Sequence, residues 1–304
     1  MKPEVDRSTR QKENIAHHPF VKIAVFLVVF LISAVIYIYV VRSKIDPAAK
    51  LFLGVMCASL TSTSIVGWWF DRRSVASFGL RLSKIKFREV LFGFLIGAGL
   101  MSAIVLTIAL THGAQLGLLD RSRDTMHWFR LSLLIYLAGA VGEELAFRGF
   151  VFQTLELRWG SGVALLLTMA AFGAEHIMLL ETGVRFADGL RGAVFLGLGL
   201  GLLLAAAYMV TRNLWLPIGI HWAWNLFQGP VYGARVSGID MGRPIFPAVF
   251  SGPSWLTGGT FGPEASLPAV ILTFIVGFVL LRQAVRHGEW RSLQNAMLPV
   301  QNPD

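Results

Sequence analysis

Long apolar runs divide this sequence, and they constrain the fold more than any other feature. A helix needs about 20 mostly apolar residues to cross the hydrocarbon core of a bilayer. Eight runs of this kind are separated by polar segments, at residues 20–41, 51–70, 90–111, about 130–157, 163–180, 192–210, 214–227 and 268–281. The pattern predicts an all-α, polytopic membrane protein with about eight transmembrane helices.

The composition supports a membrane protein and argues against nucleic acid as a partner. The chain has 304 residues, of which 55% are hydrophobic and only 15% are charged, whereas soluble domains are usually about 25% charged. The net charge of +9 comes from Lys and Arg residues near the ends of the predicted spans, with no basic stripe interleaved with aromatic residues. We therefore predict contact with the lipid bilayer. The single cysteine, Cys57, excludes an internal disulfide and a multi-cysteine zinc site.

The basic residues also predict an orientation. Eight spans place both termini on the same side of the membrane, and the segments on that side carry more Lys and Arg than the segments on the other side. Cytoplasmic loops carry an excess of these residues. We therefore expect both termini to lie in the cytoplasm.

Three charged side chains interrupt the fourth run, namely Glu143, Glu144 and Arg148. Each charged group costs about 2.5–3.5 kcal/mol at the centre of a transmembrane helix on insertion scales. Glu144 and Arg148 are four residues apart, so they share a helix face and can form a pair. Glu143 points about 100° away from Glu144 and needs another helix, water or a proton as its partner.

The fifth and seventh runs carry the other intramembrane polar groups. Phe172 lies four residues before His176, and Asn225 lies four residues after His221, so each pair shares a helix face. The alternative is that each histidine makes an ordinary hydrogen bond between helices, with Glu175 as a partner for its neighbour; such bonds contribute about 0.6 kcal/mol in a membrane. Polar groups at similar depth on three helices instead favour one functional site.

A carboxylate, two imidazoles and a carboxamide together suit the activation of water. Glu143 can act as a general base, and an imidazole beside a carboxamide can hold an oxyanion. Glu143, His176 and His221 can also supply three ligands to a zinc ion with an open fourth position. The residues alone leave open whether a metal ion or only Glu and His would hold the water. A proton-coupled transporter is a rival reading, but no inverted repeat is visible.

These polar residues resemble the motifs of a known family. They fall in order on three separate apolar runs, as Glu143-Glu144-x-x-x-Arg148, Phe172-x-x-x-His176 and His221-x-x-x-Asn225. The same three motifs characterise the CPBP intramembrane proteases, which comprise type II CAAX prenyl endopeptidases, lysostaphin-resistance-protein-A-like proteins and abortive-infection proteins. The resemblance covers roughly residues 130–230.

The resemblance implies an eight-helix bundle with a polar cavity inside the membrane and an endopeptidase acting on a membrane-anchored protein or peptide. It implies that Glu143 and His176 activate water and that His221 and Asn225 stabilise the oxyanion. It also places Glu144 among the catalytic residues, with Arg148 and Phe172 as support for the site. Family members are read either as zinc metallopeptidases or as metal-independent glutamate peptidases. A non-catalytic membrane scaffold or a bacteriocin-immunity protein is the alternative function.

The domain organisation follows from the spans and the resemblance. We predict a polar tail at residues 1–19, three transmembrane helices with their loops at 20–129, and the catalytic core at 130–230. Residues 231–304 would hold most of an extramembrane loop that runs over 228–266, the last transmembrane helix and a polar tail. The predicted location is the cell membrane of a prokaryote.

Overall fold

A computed structural model describes residues 18–40, 47–178, 183–240 and 242–293. Nearly all of the predicted N-terminal tail, the end of the C-terminal tail and the last two residues of the predicted fifth span lie outside these ranges. In the described part the helices are α1 (Pro19–Val40), α2 (Pro47–Asp71), α3 (Lys84–Leu110), α4 (Arg123–Glu144), α5 (Gln153–Met178), α6 (Phe186–Leu196), α7 (Leu202–Thr211), α8 (Trp215–Leu226), α9 (Ser254–Thr257) and α10 (Leu267–Arg286).

Three π-helical segments extend or join these helices. They are Leu145–Phe152 between α4 and α5, Gly197–Gly201 between α6 and α7, and Phe227–Val231 after α8. Two short 3₁₀ helices, Val75–Phe78 and Pro263–Ala265, lie in the loops. Single-turn π segments inside helices occur often at functional sites, and the first two of these flank residues discussed below.

Six helical segments of the described chain are long and apolar enough to cross a membrane, so the predicted count of eight is not confirmed. One of the six, Arg123–Ile177, has 55 residues and would be about 80 Å long as a straight helix, more than twice the thickness of a bilayer core. Gly160 breaks it with φ 77° and ψ 172°, and its two parts correspond to the predicted fourth and fifth spans. The predicted seventh span is α8, which has only 12 residues.

The loops contain more structure than the sequence indicates. α3 begins at Lys84 and α4 at Arg123, inside segments expected to be loops, and the Ser122 hydroxyl accepts a hydrogen bond from the Thr125 amide at the start of α4. Strands β1 (Ala114–Leu116) and β2 (Ala248–Phe250) pair antiparallel, with Gln115 opposite Val249. Apart from this short ribbon, the predicted all-α class is correct for the described residues.

The apolar surface of the outer helices is consistent with contact to lipid. On α1, Val35 and Tyr39 are 65% and 67% exposed, and on α2 Trp68 and Trp69 are also largely exposed. In contrast, most residues of α8 are buried. The protein is therefore a multi-pass membrane protein in which the short helix α8 lies inside the bundle.

Glycines bring α3 and α8 unusually close together. A Cβ atom at Gly97 would lie 3.1 Å from the Ala223 Cβ and closer still to the Ile220 carbonyl oxygen. Gly219 of α8 likewise faces the backbone of α3, where a Cβ would lie 2.9 Å from the Phe94 nitrogen. Small residues allow the backbones of membrane helices to approach each other closely. This contact fixes the helix that carries His221 and Asn225.

The close approach predicts different results for two neighbouring glycines of α3. In Gly97→Ala, the added methyl group collides with the α8 backbone and should lower the free energy of unfolding by about 1–3 kcal/mol. Gly99 has no neighbouring atom in the path of a Cβ, so Gly99→Ala should be neutral or slightly stabilising because Ala favours helix. Thermal unfolding of both detergent-purified variants tests this, and equal melting temperatures would contradict the close packing at Gly97.

Candidate active site

Polar side chains from α4, α5 and α8 line one small cavity of about 60 Å³. A single water molecule needs only about 10–15 Å³ measured in this way, so the cavity has room for a few water molecules but not for a peptide segment. Phe52, Leu196 and Leu200 contribute to its apolar wall. The polar lining comprises Glu143, Glu175, His176, His221, Asn225, Ser237 and Glu264.

The predicted pair between Glu144 and Arg148 is present and completely buried. Arg148 Nη1 lies 3.0 Å from Glu144 Oε1, and the two side chains are 1% and 0% exposed. Arg148 Nη2 also donates to the Gly201 carbonyl at 3.3 Å, and its guanidinium lies 4.6 Å from the centre of the Phe172 ring. One arginine therefore links the end of α4 to α5 and to the π segment before α7.

Glu144 also fixes the histidine of α8. Its Oε1 atom lies 2.8 Å from His221 Nδ1. An ionised carboxylate can only accept hydrogen bonds, so Nδ1 of His221 must carry the proton that is shared with Glu144. The other ring nitrogen, Nε2, lies 3.6 Å from Glu143 Oε2. Nε2 is therefore the nitrogen of His221 that faces the cavity side of the site.

His176 is oriented in the same manner by a different acceptor. Its Nδ1 atom lies 2.7 Å from the Phe172 carbonyl oxygen, one helical turn earlier. A carbonyl oxygen only accepts, so this nitrogen also carries a proton and leaves Nε2 as the free ring nitrogen. The Phe172 ring packs against His176 with 4.9 Å between ring centres. Phe172 thus contacts His176 through both its backbone and its ring. The spacing predicted the shared helix face but not the backbone hydrogen bond.

The two adjacent glutamates have different environments. Glu143 lines the cavity and keeps 13% of its side chain exposed, whereas Glu144 is fully buried and lies behind His221. The sequence grouped both as catalytic residues. In the structure, Glu143 lines the cavity, and Glu144 contacts His221 and Arg148 behind it.

The structure therefore gathers the predicted residues of three helices at one place. Glu143, His176, His221 and Asn225 line the cavity itself, and Phe172 lines it with them. Glu144 and Arg148 form the buried support behind it. The assignment of these residues as catalytic remains a prediction.

Four residues of the cavity wall come from the segment predicted as an extramembrane loop, namely Val236, Ser237, Ile239 and Glu264. Glu264 Oε1 accepts hydrogen bonds from the Ser237 backbone amide at 2.5 Å and from its hydroxyl at 2.9 Å, and Oε2 accepts from Trp224 Nε1 of α8 at 3.4 Å. The only signal for this in the sequence is one acidic residue among Gly, Pro and apolar residues just before the last span.

Glu175 and Glu264 make the cavity more acidic than the motifs indicate. Glu175 Oε2 is buried and has no hydrogen-bond partner among the described residues, so it does not serve His176 as the polar contact considered from sequence. Burial raises the pKa of the Glu264 carboxyl, and the nearby His176 imidazole and the hydrogen bonds from Ser237 oppose that effect. Both carboxyl groups line the same cavity as the His176 and His221 imidazoles.

The fit of a metal ion can be tested on the donor atoms. Over the described ranges, no group of three or more His, Cys, Asp or Glu side chains has an arrangement that could hold a metal. In particular, Glu143, His176 and His221 share the cavity but do not form a three-ligand site in this arrangement.

The motif residues lie within a segment that matches a known family model. Residues 125–227 match the family model described as Type II CAAX prenyl endopeptidase Rce1-like. The match confirms, over this part of the chain, the resemblance drawn from the three motifs. No curated protein and no solved structure gives a significant match to the chain.

The buried pair predicts a specific stability defect. Arg148→Met leaves the Glu144 carboxylate without its cation and should cost about 3–5 kcal/mol, seen as a lower yield of folded protein and a lower melting temperature. The double variant Glu144→Gln/Arg148→Met removes both charges and should recover part of this loss. A normal yield and melting temperature for Arg148→Met alone would count against the pair as a structural requirement.

Proposed function

We propose that this protein is an intramembrane endopeptidase that hydrolyses a peptide bond of a membrane-associated protein or peptide. One observation carries the proposal: Glu143, His176, His221 and Asn225 come from three helices and line the same water-sized cavity. The match to the CAAX protease family supports a peptide substrate. The reaction class is hydrolysis, with water rather than a side chain as the nucleophile.

Water activation is assigned to Glu143 and His176. The Glu143 carboxylate accepts a proton from water, while Nε2 of His176, left free by the bond from Nδ1 to the Phe172 carbonyl, accepts the second hydrogen bond of that water. The water oxygen then attacks the carbonyl carbon of the scissile bond, and the carbonyl electron pair moves to its oxygen. General-base catalysis of this kind contributes about 10²–10⁴-fold in rate.

His221 and Asn225 are assigned to the oxyanion that this attack creates. The Asn225 amide can donate one hydrogen bond to it. His221 can donate another from Nε2 when its ring is doubly protonated, and the carboxylates of Glu143 and Glu144 on either side of the ring favour that positive charge. As the C–N bond breaks, the proton held by Glu143 passes to the leaving amine, which yields a free carboxylate and a free amine.

The size of the cavity bears on how a substrate would enter. A volume of about 60 Å³ holds water but not an extended peptide, so part of the wall has to move. Residues 236–239 form the wall segment that is not part of a helix, and the bonds from Ser237 to Glu264 hold it in place. We infer that a substrate displaces this segment.

The cellular setting is part of the same proposal. The substrate would reach the site from the bilayer, as a membrane-anchored protein or a short membrane-bound peptide. The cell membrane of a prokaryote, with both termini in the cytoplasm, fits the distribution of Lys and Arg along the chain.

Removal of the proposed general base tests the mechanism. In Glu143→Gln the side chain keeps its size but cannot accept the proton, so cleavage of a peptide library by the detergent-purified protein should fall by at least about 10²-fold. Glu89→Gln is the matched control, because Glu89 pairs with Lys86 on α3 and does not line the cavity. Unchanged cleavage by Glu143→Gln would end the assignment of Glu143 as the base.

A second measurement distinguishes a zinc-dependent mechanism from a metal-independent glutamate peptidase mechanism. Elemental analysis of the purified protein, together with cleavage before and after chelation, reports whether a metal takes part. The arrangement of donors predicts that Glu143-dependent cleavage survives chelation. Loss of cleavage on chelation, with recovery on adding zinc, would contradict the metal-independent mechanism and assign Glu143, His176 and His221 as ligands.

The non-catalytic alternative has its own signature. A scaffold or immunity protein would show no cleavage that depends on Glu143 with any member of the library, yet would remain folded in the Glu143→Gln variant. A proton-coupled transporter would instead show proton uptake in vesicles that is lost in the same variant.

A further inference from the structure

A second polar region lies on the side of the bundle where α1 begins and several other helices end. Two cavities of about 140 and 340 Å³ adjoin there and share Arg73 and Leu157 in their walls. The start of α1, the loop after α2, the first turns of α5 and the residues after α7 and α10 supply the rest of the walls. Neither cavity contains a residue of the site described above.

Arg73 is the fixed cation of this region. Its Nη2 atom donates to the Ser77 carbonyl and to Gln153 Oε1, both at 2.8 Å, and its guanidinium lies 3.9 Å from the centre of the Phe78 ring. Gln153 is itself held by a 2.9 Å hydrogen bond to the Phe78 carbonyl. These contacts hold a flexible side chain in one orientation over both cavities.

Arg73 forms no ion pair with another described residue. The ion pairs of the described chain include Lys22 with Asp71, and Arg212 with Glu156 and Glu289, but none with Arg73. Burial lowers the pKa of the Arg73 guanidinium, and nearby Asp71 offsets part of that effect. Nε donates to the Ser77 hydroxyl at 3.3 Å and both hydrogens of Nη2 are used, so the Nη1 group of this half-buried, oriented guanidinium is the donor that can bind an anion such as a phosphate oxygen.

Two further cations border the cavities. Arg158 and Arg291 line them, are exposed, and form no ion pair among the residues the structure covers. Arg291 is placed by its backbone, which exchanges 2.9 Å hydrogen bonds with Ser161 next to the Gly160 break. Acidic residues of the walls are already used, because Glu156 and Glu289 both bind Arg212.

Aromatic residues indicate the depth of this region. Trp159 packs against Phe20 with 5.0 Å between ring centres, and the exposed Trp68 at the end of α2 lies under the Arg72 guanidinium at 4.7 Å. Trp residues concentrate at the level of the lipid headgroups. The cavities therefore open at headgroup depth, where a phosphate of a lipid would be present.

We propose that these cavities bind the phosphate group of an anionic phospholipid headgroup, with Arg73 as the central donor and Arg158 and Arg291 at the rim. The larger cavity has room for the phosphate and the group attached to it. Basic pockets between membrane helices bind anionic headgroups in this way. A free phosphate ion offers the same chemistry to Arg73, so the test separates the two sources.

The experiment measures lipid binding to the delipidated full-length protein in neutral detergent. The probes are dioctanoyl phosphatidylglycerol, dioctanoyl phosphatidylcholine and inorganic phosphate. We expect phosphatidylglycerol to bind at least about fivefold more tightly than phosphatidylcholine. Arg73→Gln should abolish that preference. Arg286→Gln is the matched control, because it removes one positive charge from an exposed residue at the end of α10 that lines neither cavity, and it should keep the preference.

The outcomes are distinct. If millimolar phosphate displaces phosphatidylglycerol from the wild type but has no effect on Arg73→Gln, the site exists and accepts any phosphate group. If phosphatidylglycerol binds and phosphate does not displace it, the site is specific for the lipid. If Arg73→Gln fails to fold, Arg291→Gln replaces it, since Arg291 is exposed, and should weaken the preference. No preference in the wild type, or an equal loss in Arg73→Gln and Arg286→Gln, would overturn the proposal.

Discussion

One buried carboxylate, Glu144, connects the parts on which the candidate site depends. It accepts hydrogen bonds from Arg148 one turn along its own chain segment and from His221 on α8. Burying a charge is costly unless it is paired. Removal of Arg148 or His221 would therefore leave the buried Glu144 carboxylate with too few partners. The interaction therefore fixes the register between α4 and α8. It also settles which nitrogen of His221 faces Glu143.

Close backbone contacts make this electrostatic arrangement possible. α8 has only 12 residues, and it reaches the interior because Gly93 and Gly97 of α3 leave room for its backbone. Gly201, in the π segment before α7, presents its carbonyl to Arg148. On α5, the Phe172 ring packs at once against His176, His221 and the Arg148 guanidinium. The polar groups thus share one wall of aromatic and small residues.

Local helix geometry made part of the site predictable. Residues four apart share a face, so the pairs Glu144–Arg148 and Phe172–His176 follow from sequence and are observed. The long-range contacts were not predictable. Nothing in the sequence indicates that Glu144 rather than Glu143 would bind Nδ1 of His221, because that depends on how α8 packs. Glu264 was missed for the same reason, since its position depends on a loop that returns from a Gly- and Pro-rich segment.

The number of spans, like the site, could be predicted only in part from the sequence. Apolar runs locate the helices well, but their ends depend on backbone breaks and on neighbours. Gly160 adopts a left-handed φ within a helical segment of 55 residues, and the shortness of α8 is tolerated because it is surrounded by protein rather than by lipid. Hydropathy measures the composition of a run and cannot distinguish these two environments.

The most direct test of the site is the tautomer of its two histidines, because the chemistry requires both to present Nε2 to the cavity. Nitrogen-15 NMR of histidine-labelled protein, with His176 and His221 assigned by single substitution to Gln, reports which ring nitrogen carries the proton. We expect Nδ1 to be protonated in both rings and Nε2 to be the nitrogen that gains or loses a proton as pH changes. A ring of either residue that is protonated only at Nε2 would contradict the arrangement around Glu144 and Phe172, and with it the proposed roles of both histidines.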